Sequence, residues 1–305
     1  MEMFEPGTLK ERIGSLQKSV KLYELEQVEE YALEKLKEVG LNHTYDVIAN
    51  EPPDFWTMGY TEYASSFIFQ PLNLEAREAM IADALCDTGD TVDYASMLRN
   101  NIKEKTANKY QDRDSYTDVV KPRKNIVVLP GSNKIKQRVC LNKLNYIKTK
   151  HGDDVLFKPH PITVHAVIGE LKDMFGEENV LPRDSDLYEY IQEADKVYTT
   201  HMSESAIYGL ALNKVIEPID TFNEVHMASF YNINKAIFSN QDLGDEVINK
   251  ICSSYKSGFI NPNLEPNWKE KVDKYIEYIM QFKDKRKNWY TIKKDINGEK
   301  EIQGN

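Results

Sequence analysis

The chain has 305 residues, a formal net charge of −10, 41% apolar and 29% charged residues, which fits one large folded domain or two ordinary ones and excludes wholesale disorder. No stretch approaches the roughly 20 apolar residues of a membrane span, and residues 1–19 lack the apolar core of a signal peptide. Cys86, Cys140 and Cys252 are far apart and outside any CxxC pattern, so they read as reduced thiols of a cytoplasmic protein and argue against a zinc site.

In chain order, Leu25, Val28, Ala32, Leu36 and Val39 fall at helical spacing, with Gly40 as the C-cap. Residues 45–49 read as a strand, 50–54 as a turn, and 67–69 as a second apolar run. A helix is expected from Leu74 to Leu85, and residues 100–124 form a polar linker. From residue 125 short β-branched strands alternate with helices. Strands are expected near 126–129, 155–157, 179–181, 197–200 and 215–216, and helices near 140–147, 164–175, 187–194 and 204–212. That alternation with short links predicts an α/β fold with a parallel, doubly wound sheet. An amphipathic helix over 268–282 precedes a polar tail. The implied domains are 1–120, 121–262 and a returning C-terminal segment, 263–305.

Charge is uneven. Residues 1–120 carry 12 basic and 23 acidic side chains, a net −11, whereas 121–150 carry nine basic ones and no acidic one. The block includes Lys121, Arg123, Lys124, Lys134, Lys136 and Arg138. It reads either as a local anion site or as a solvated helix face.

In an open parallel sheet, ligands bind at the carboxyl ends of the strands. The first such loop carries Gly131 and Ser132, suited to close backbone approach by a phosphate. The second is Lys158-Pro-His160-Pro161, a histidine held between two prolines and suited to a phosphate oxygen or to proton transfer. The fourth is Thr199-Thr200-His-Met-Ser203-Glu-Ser205, rich in hydroxyls, in which Ser203 also reads as a helix N-cap.

Phe157-Lys-Pro-His-Pro161, followed about forty residues later by Thr199-Thr-His-Met-Ser-Glu-Ser205, resembles the paired "HP" and "serine" motifs of bacterial glycosyltransferases. These are the sialyltransferase, polysialyltransferase and capsule-synthesis (Kdo-transferase-like) group; the teichoic-acid glycerophosphotransferases share a similar pair. The resemblance covers about 100 residues. It implies a GT-B fold, two Rossmann-like domains with parallel sheets facing a central cleft. It also implies a nucleotide-sugar donor whose phosphates would meet His160 and Ser203 or Ser205, with Lys158 and Thr200 in the same loops. Gly131 and Ser132 match the first loop more weakly, and Glu217 stands where such enzymes often place a carboxylate for the ribose.

The acidic-acidic-Gly motif that supplies the base in sialyltransferase-type families has no clean copy. Asp87, in Asp87-Thr-Gly89, is a distorted counterpart; Glu51 and Asp54 are better placed to deprotonate an acceptor hydroxyl, though turn residues of the same kind need no such role. A GT-B site needs no tightly bound metal, since basic side chains and helix N-termini can stabilise the departing nucleotide. The one literal DxD, Asp184-Ser-Asp186, opens a helix and is explained by capping.

Three functions remain open. The Lys-, Tyr- and Asn-rich composition resembles that of tailed-phage enzymes that glycosylate hydroxymethylated pyrimidines in double-stranded DNA. The basic block would then meet the phosphate backbone, and Phe55, Trp56, Tyr60 and Tyr63 would line the acceptor side or simply fill the core. The second function is a surface-glycan glycosyltransferase, and the third a nucleotide-binding scaffold without turnover. The sequence leaves the oligomeric state open.

Overall fold

The structure is a computed structural model that describes residues 20–45, 56–107, 120–131, 135, 138–161, 163–220 and 230–297. Two four-stranded sheets organise it. In the first, β1 (His43–Tyr45) pairs in parallel with β2 (Met58–Tyr63), which is antiparallel to β3 (Ser66–Pro71). The short β8 (Phe259–Ile260) closes it, antiparallel to β3. In the second, β4 (Asn125–Val128), β5 (Val155–Lys158), β6 (Lys196–Thr199) and β7 (Val215–Pro218) are all parallel, in the order β5-β4-β6-β7.

The α/β architecture is as expected, but full parallel pairing is confined to the second sheet. The reason is local. Residues 64 and 65 turn the chain straight back from β2 into β3, which forces antiparallel pairing. Ala64 and Ser65 both hold positive φ, 50° and 63°, as a two-residue hairpin turn demands.

Helices form over the segments where the apolar spacing placed them. These are α1 (Val20–Glu38), α2 (Leu74–Leu85), α4 (Leu141–His151), α5 (His165–Phe175) and α6 (Leu187–Glu193). Asn73 caps α2, its Oδ1 accepting from the Ala76 N–H at 2.8 Å. The polar stretch before residue 124 opens on an unforeseen helix, α3 (Tyr94–Lys103), capped by Asp93. The strand expected at 179–181 is reduced to one bridge between Phe157 and Val180.

Beyond β6 come α7 (Ser205–Ala211), α8 (Tyr231–Ser239), α9 (Asp245–Ser253) and the long α10 (Trp268–Asn297). Helices cover both faces of the second sheet. Leu144, Ile147, Leu171 and Phe175 of α4 and α5 bury Val127, Phe157 and Tyr198 on one face. The other face shares a core with the first sheet: Ile126, Val128 and Val197 join Tyr63, Ile68 and Phe259 through α3, α7 and α9. The outer face of the first sheet is closed by α1 and α10, where Leu25, Val28 and Leu36 meet Val272, Ile276 and Ile279. Trp56, Tyr60 and Tyr63 belong to these cores, Tyr60 stacking on Phe69 and Tyr63 on Phe230.

Two glycines sit at close approaches. A Cβ at Gly209 would stand 3.0 Å from Ile216 Cγ2, so glycine lets α7 lie tight on β6 and β7. Gly258 has φ +73°, and a Cβ there would fall 1.9 Å from the Phe69 carbonyl oxygen.

Candidate functional site

The strand order β5-β4-β6-β7 reverses direction between β4 and β6. The chain therefore leaves the carboxyl ends of those two paired strands toward opposite sides, which is where a doubly wound sheet usually leaves a ligand crevice. Gly131 follows β4 there, Lys158-Pro-His160 follows β5, Thr200 to Ser205 follow β6, and Asp220 follows β7. His160, Thr200, Ser203 and Gly131 are thus brought to one edge of the sheet.

The loop after β6 is fixed by its own hydroxyls. Thr199 Oγ1 and Ser205 Oγ are 2.6 Å apart, and Ser205 Oγ and Ser203 Oγ 2.7 Å apart, with either partner able to donate. Thr199, Thr200 and Ser205 are buried, whereas Ser203 is part-exposed. Ser203 Oγ also accepts weakly from the Ser205 N–H at 3.3 Å, but the helix opens one residue later than expected and its N-cap is Glu204, so Ser203 is not the cap the sequence suggested. Of the two serines, Ser203 is the one a ligand can reach. Thr199 and Ser205 form its support.

Asn234 of α8 supports the same loop from below. Its amide donates to the carbonyls of His201 (2.8 Å) and Ser203 (3.0 Å), and Tyr63 donates its hydroxyl to Asn234 Oδ1. Burial pushes the Tyr63 hydroxyl well above its ordinary pKa, so it stays a donor at neutral pH.

Sequence reasoning missed the pairing of His201 with Asp220. Asp220 Oδ1 is 2.9 Å from His201 Nδ1, and its Oδ2 accepts the His201 main-chain N–H at 3.0 Å. The Asp220 side chain is 2% exposed and that of His201 16%. The imidazole lies against Tyr231 (5.2 Å) and Phe238 (4.8 Å) of α8. His201 stood inside the quoted motif, but its partner is 19 residues away and only the fold joins them.

Arg138 also reaches this edge. Its guanidinium meets the Met202 sulfur, and Val139 bridges to Asp220. Burial pulls the Arg138 pKa down while the Asp220 carboxylate opposes that fall. Read from the sequence as one cation of a basic block, Arg138 is in fact part of the crevice.

The remaining expected residues lie elsewhere. Lys158 is 2% exposed, its ammonium donating to the carbonyls of Pro159 (2.8 Å) and Arg183 (2.7 Å). It shapes the Pro-His-Pro loop from beneath. Glu217 shares a sheet face with Tyr198 and is ion-paired to Lys196 (2.6 Å) and Lys143 (3.3 Å), on the side covered by α4. Partial burial raises its pKa, but the hydrogen bond and charge of Lys196, with Lys143, outweigh that and hold it below the usual value. Asp87, at the end of α2, accepts from Ser254 Oγ at 2.6 Å and lies 3.7 Å from Lys256 Nζ. These contacts tie it to the segment leading into β8 and not to the strand-end loops.

Lys121, Arg123 and Lys124 precede β4 and so lie at the opposite edge of the sheet from His160 and Ser203. Arg123 donates to the Asp153 carbonyl, and the Lys124 main chain is bonded to Asp154 and Asp195. Among the described residues the basic block is therefore divided between the two sheet edges. Glu51, Asp54, Phe55, Ser132, Lys134 and Lys136 lie outside the described residues. Among the described residues, no cluster of three or more His, Cys, Asp or Glu could hold a metal ion, and no helix is long and apolar enough to cross a membrane.

No family model matches the chain, and no curated protein matches it. Among solved structures, the chain is similar to KpsC of Thermosulfurimonas dismutans, a beta Kdo 2,7 transferase, at 12% identity and a TM-score of 0.37. That similarity covers 74% of this chain and 84% of the other.

Proposed function

We propose that the protein is a glycosyltransferase that takes a sugar from a nucleotide donor, with the donor phosphate held in the crevice between β4 and β6. The observation that carries this reading is the arrival of His160 and Ser203 at the same sheet edge, on either side of the strand where the order reverses. These are the residues of the "HP" and "serine" motifs in the sequence resemblance. His160 offers a donor to a phosphate oxygen, and so does the Ser203 hydroxyl. Arg138 adds a fixed positive charge nearby, which stabilises the charge that develops on a departing phosphate.

The reading is tested by incubating the protein with UDP-, CMP-, CDP- and GDP-linked sugars and following nucleotide release. Release of one nucleotide above the uncatalysed rate is the expected result. Tight binding of a nucleotide with no release from any donor would instead make the protein a nucleotide-binding scaffold.

For the acceptor, the proposal is a sugar or nucleobase hydroxyl of unspecified carrier. The double-stranded DNA reading rests on phosphate-backbone contact, and it is tested by the salt dependence of duplex binding. Several phosphate contacts give a steep log–log slope. Among the described residues, Lys121, Arg123 and Lys124 are divided from Arg138 and form no continuous basic track with it.

A further inference from the structure

The crevice holds a proton-handling pair that joins His201 of the "serine" motif to Asp220, which lies outside both motifs of the resemblance. Asp220 is nearly fully buried and accepts two N–H bonds from one residue, the main chain and the ring of His201. A carboxylate that accepts from Nδ1 fixes the imidazole tautomer with its proton on Nδ1. The other nitrogen, Nε2, is then left with a lone pair. Tyr231 and Phe238 hold the ring in place by contact. Asn234 holds the main chain of the same residue through its carbonyl. A histidine fixed through its N–H, its C=O and its ring, with 16% of its side chain still exposed, is prepared for chemistry at one atom.

We infer that His201 is the proton acceptor of this site, with Asp220 as its positioning residue. The inference rests on the glycosyltransferase reading above and assigns the base that reading lacks. In the step, the acceptor hydroxyl gives its proton to Nε2 as its oxygen bonds to the anomeric carbon. The bond from that carbon to the donor phosphate oxygen breaks, and its electron pair leaves with the nucleotide. The imidazolium so formed faces Asp220, which offsets its charge, and later loses the proton to water.

Among the described residues, the charged and titratable groups that face the pair are Arg138 before α4, which interacts with Asp220, and Tyr231 on α8, against which the ring lies, with Glu78 of α2 acting on Tyr231. Tyr231 is pushed up to about 12, by burial first and then by Asp220 and Glu78, so it does not compete as a base near neutrality.

The test uses the full chain, the donor identified by nucleotide release, and the variants His201→Gln and Asp220→Asn. Both should retain the wild-type circular dichroism and bind the nucleotide with similar affinity. His201→Gln should lower turnover by about 10²–10⁴-fold and abolish the acid limb of the pH–rate profile, with partial rescue by added imidazole. Asp220→Asn should lower kcat with little change in donor KM. Turnover within about threefold of wild type in His201→Gln, with the pH profile unchanged, would overturn the inference and leave the glycosyltransferase reading intact.

If instead no donor is turned over by the wild type, that reading fails, and the ring state is read directly. Nitrogen-15 NMR of the imidazole should show the Nδ1–H tautomer in the wild type and its loss in Asp220→Asn. An Nε2–H tautomer in the wild type would overturn the assignment of Nε2 as an acceptor.

Discussion

Tyr63, the last residue of β2 in the first sheet, donates its hydroxyl to Asn234, and Asn234 in turn spans the carbonyls of His201 and Ser203 at the edge of the second sheet. The two sheets are thereby linked through one buried amide into the loop that carries the proposed donor site. Tyr63 and Asn234 are both fully buried, so removing the hydroxyl leaves the amide oxygen unsatisfied.

Tyr63→Phe deletes only the hydroxyl and leaves Asn234 Oδ1 without its donor. The expected loss is about 1–3 kcal/mol of stability, read from denaturant midpoints. Nucleotide binding should weaken as well. A Tyr94→Phe control removes a hydroxyl that bonds Glu265, well away from the 201–203 loop, and should lose stability without losing nucleotide affinity.

His160→Ala should lower turnover by about 10²–10³, the usual scale for one preorganised transition-state donor, while the thermal unfolding temperature stays near that of the wild type. Steady-state nucleotide release measures it. Wild-type turnover in this variant would remove His160 from the site.

Lys271 and Glu265 form a buried pair at 2.6 Å, and Lys271 also donates to the Cys252 carbonyl. Burial lowers the Lys271 pKa, opposed by Glu265. Tyr94 donates to the other Glu265 oxygen. Lys271→Met leaves that carboxylate buried with its countercharge gone and should cost about 3–5 kcal/mol. A double-mutant cycle with Glu265→Gln should show that part of the loss is recovered, because the second change removes the uncompensated charge.

Glu217→Gln tests a pair that lies off the proposed site. The folded pKa of Glu217 is held below its ordinary 4.5, so the pairing contributes stability above that value and loses it as pH falls through the folded pKa. At neutral pH the variant should lose less than about 1 kcal/mol after solvent screening, and the difference should vanish in acid. Nucleotide affinity should be unchanged. A large loss of affinity would restore Glu217 as a ribose ligand.

Gly258→Ala meets the Phe69 carbonyl and a positive φ at once. It should destabilise the chain by about 3 kcal/mol or more, through the turn that returns it to the first sheet as β8. Thermal unfolding should show the loss.

Legibility followed the strength of the local signals. Continuous apolar runs such as residues 126–128 and 155–157 marked the parallel strands, because both faces of those strands are buried. β2 escaped notice because Gly59, Thr61 and Glu62 break its apolar pattern, and its hairpin turn uses Ala64 and Ser65 where Gly or Asn would have signalled it. α3 was hidden by Asn100 and Asn101, the latter buried and bonded to Ser65. At the site, His160 and Ser203 were visible because each sits in a dense local motif. Asp220 and Asn234 were not, since each acts on the loop across a long stretch of sequence. Arg138 was visible as charge, but its place beside Met202 required the chain to fold back past β7.

The most direct measurement is a thermal-shift titration of the wild type, His160→Ala and Ser203→Ala with UDP, CMP, CDP, GDP and their sugars. At 100 times its Kd, a binder adds about 2.7 kcal/mol of stability. A donor site between β4 and β6 gives a clear shift of the wild type with one nucleotide class, reduced or lost in both variants. No shift with any nucleotide, or a shift that both substitutions leave intact, would contradict a donor site between β4 and β6.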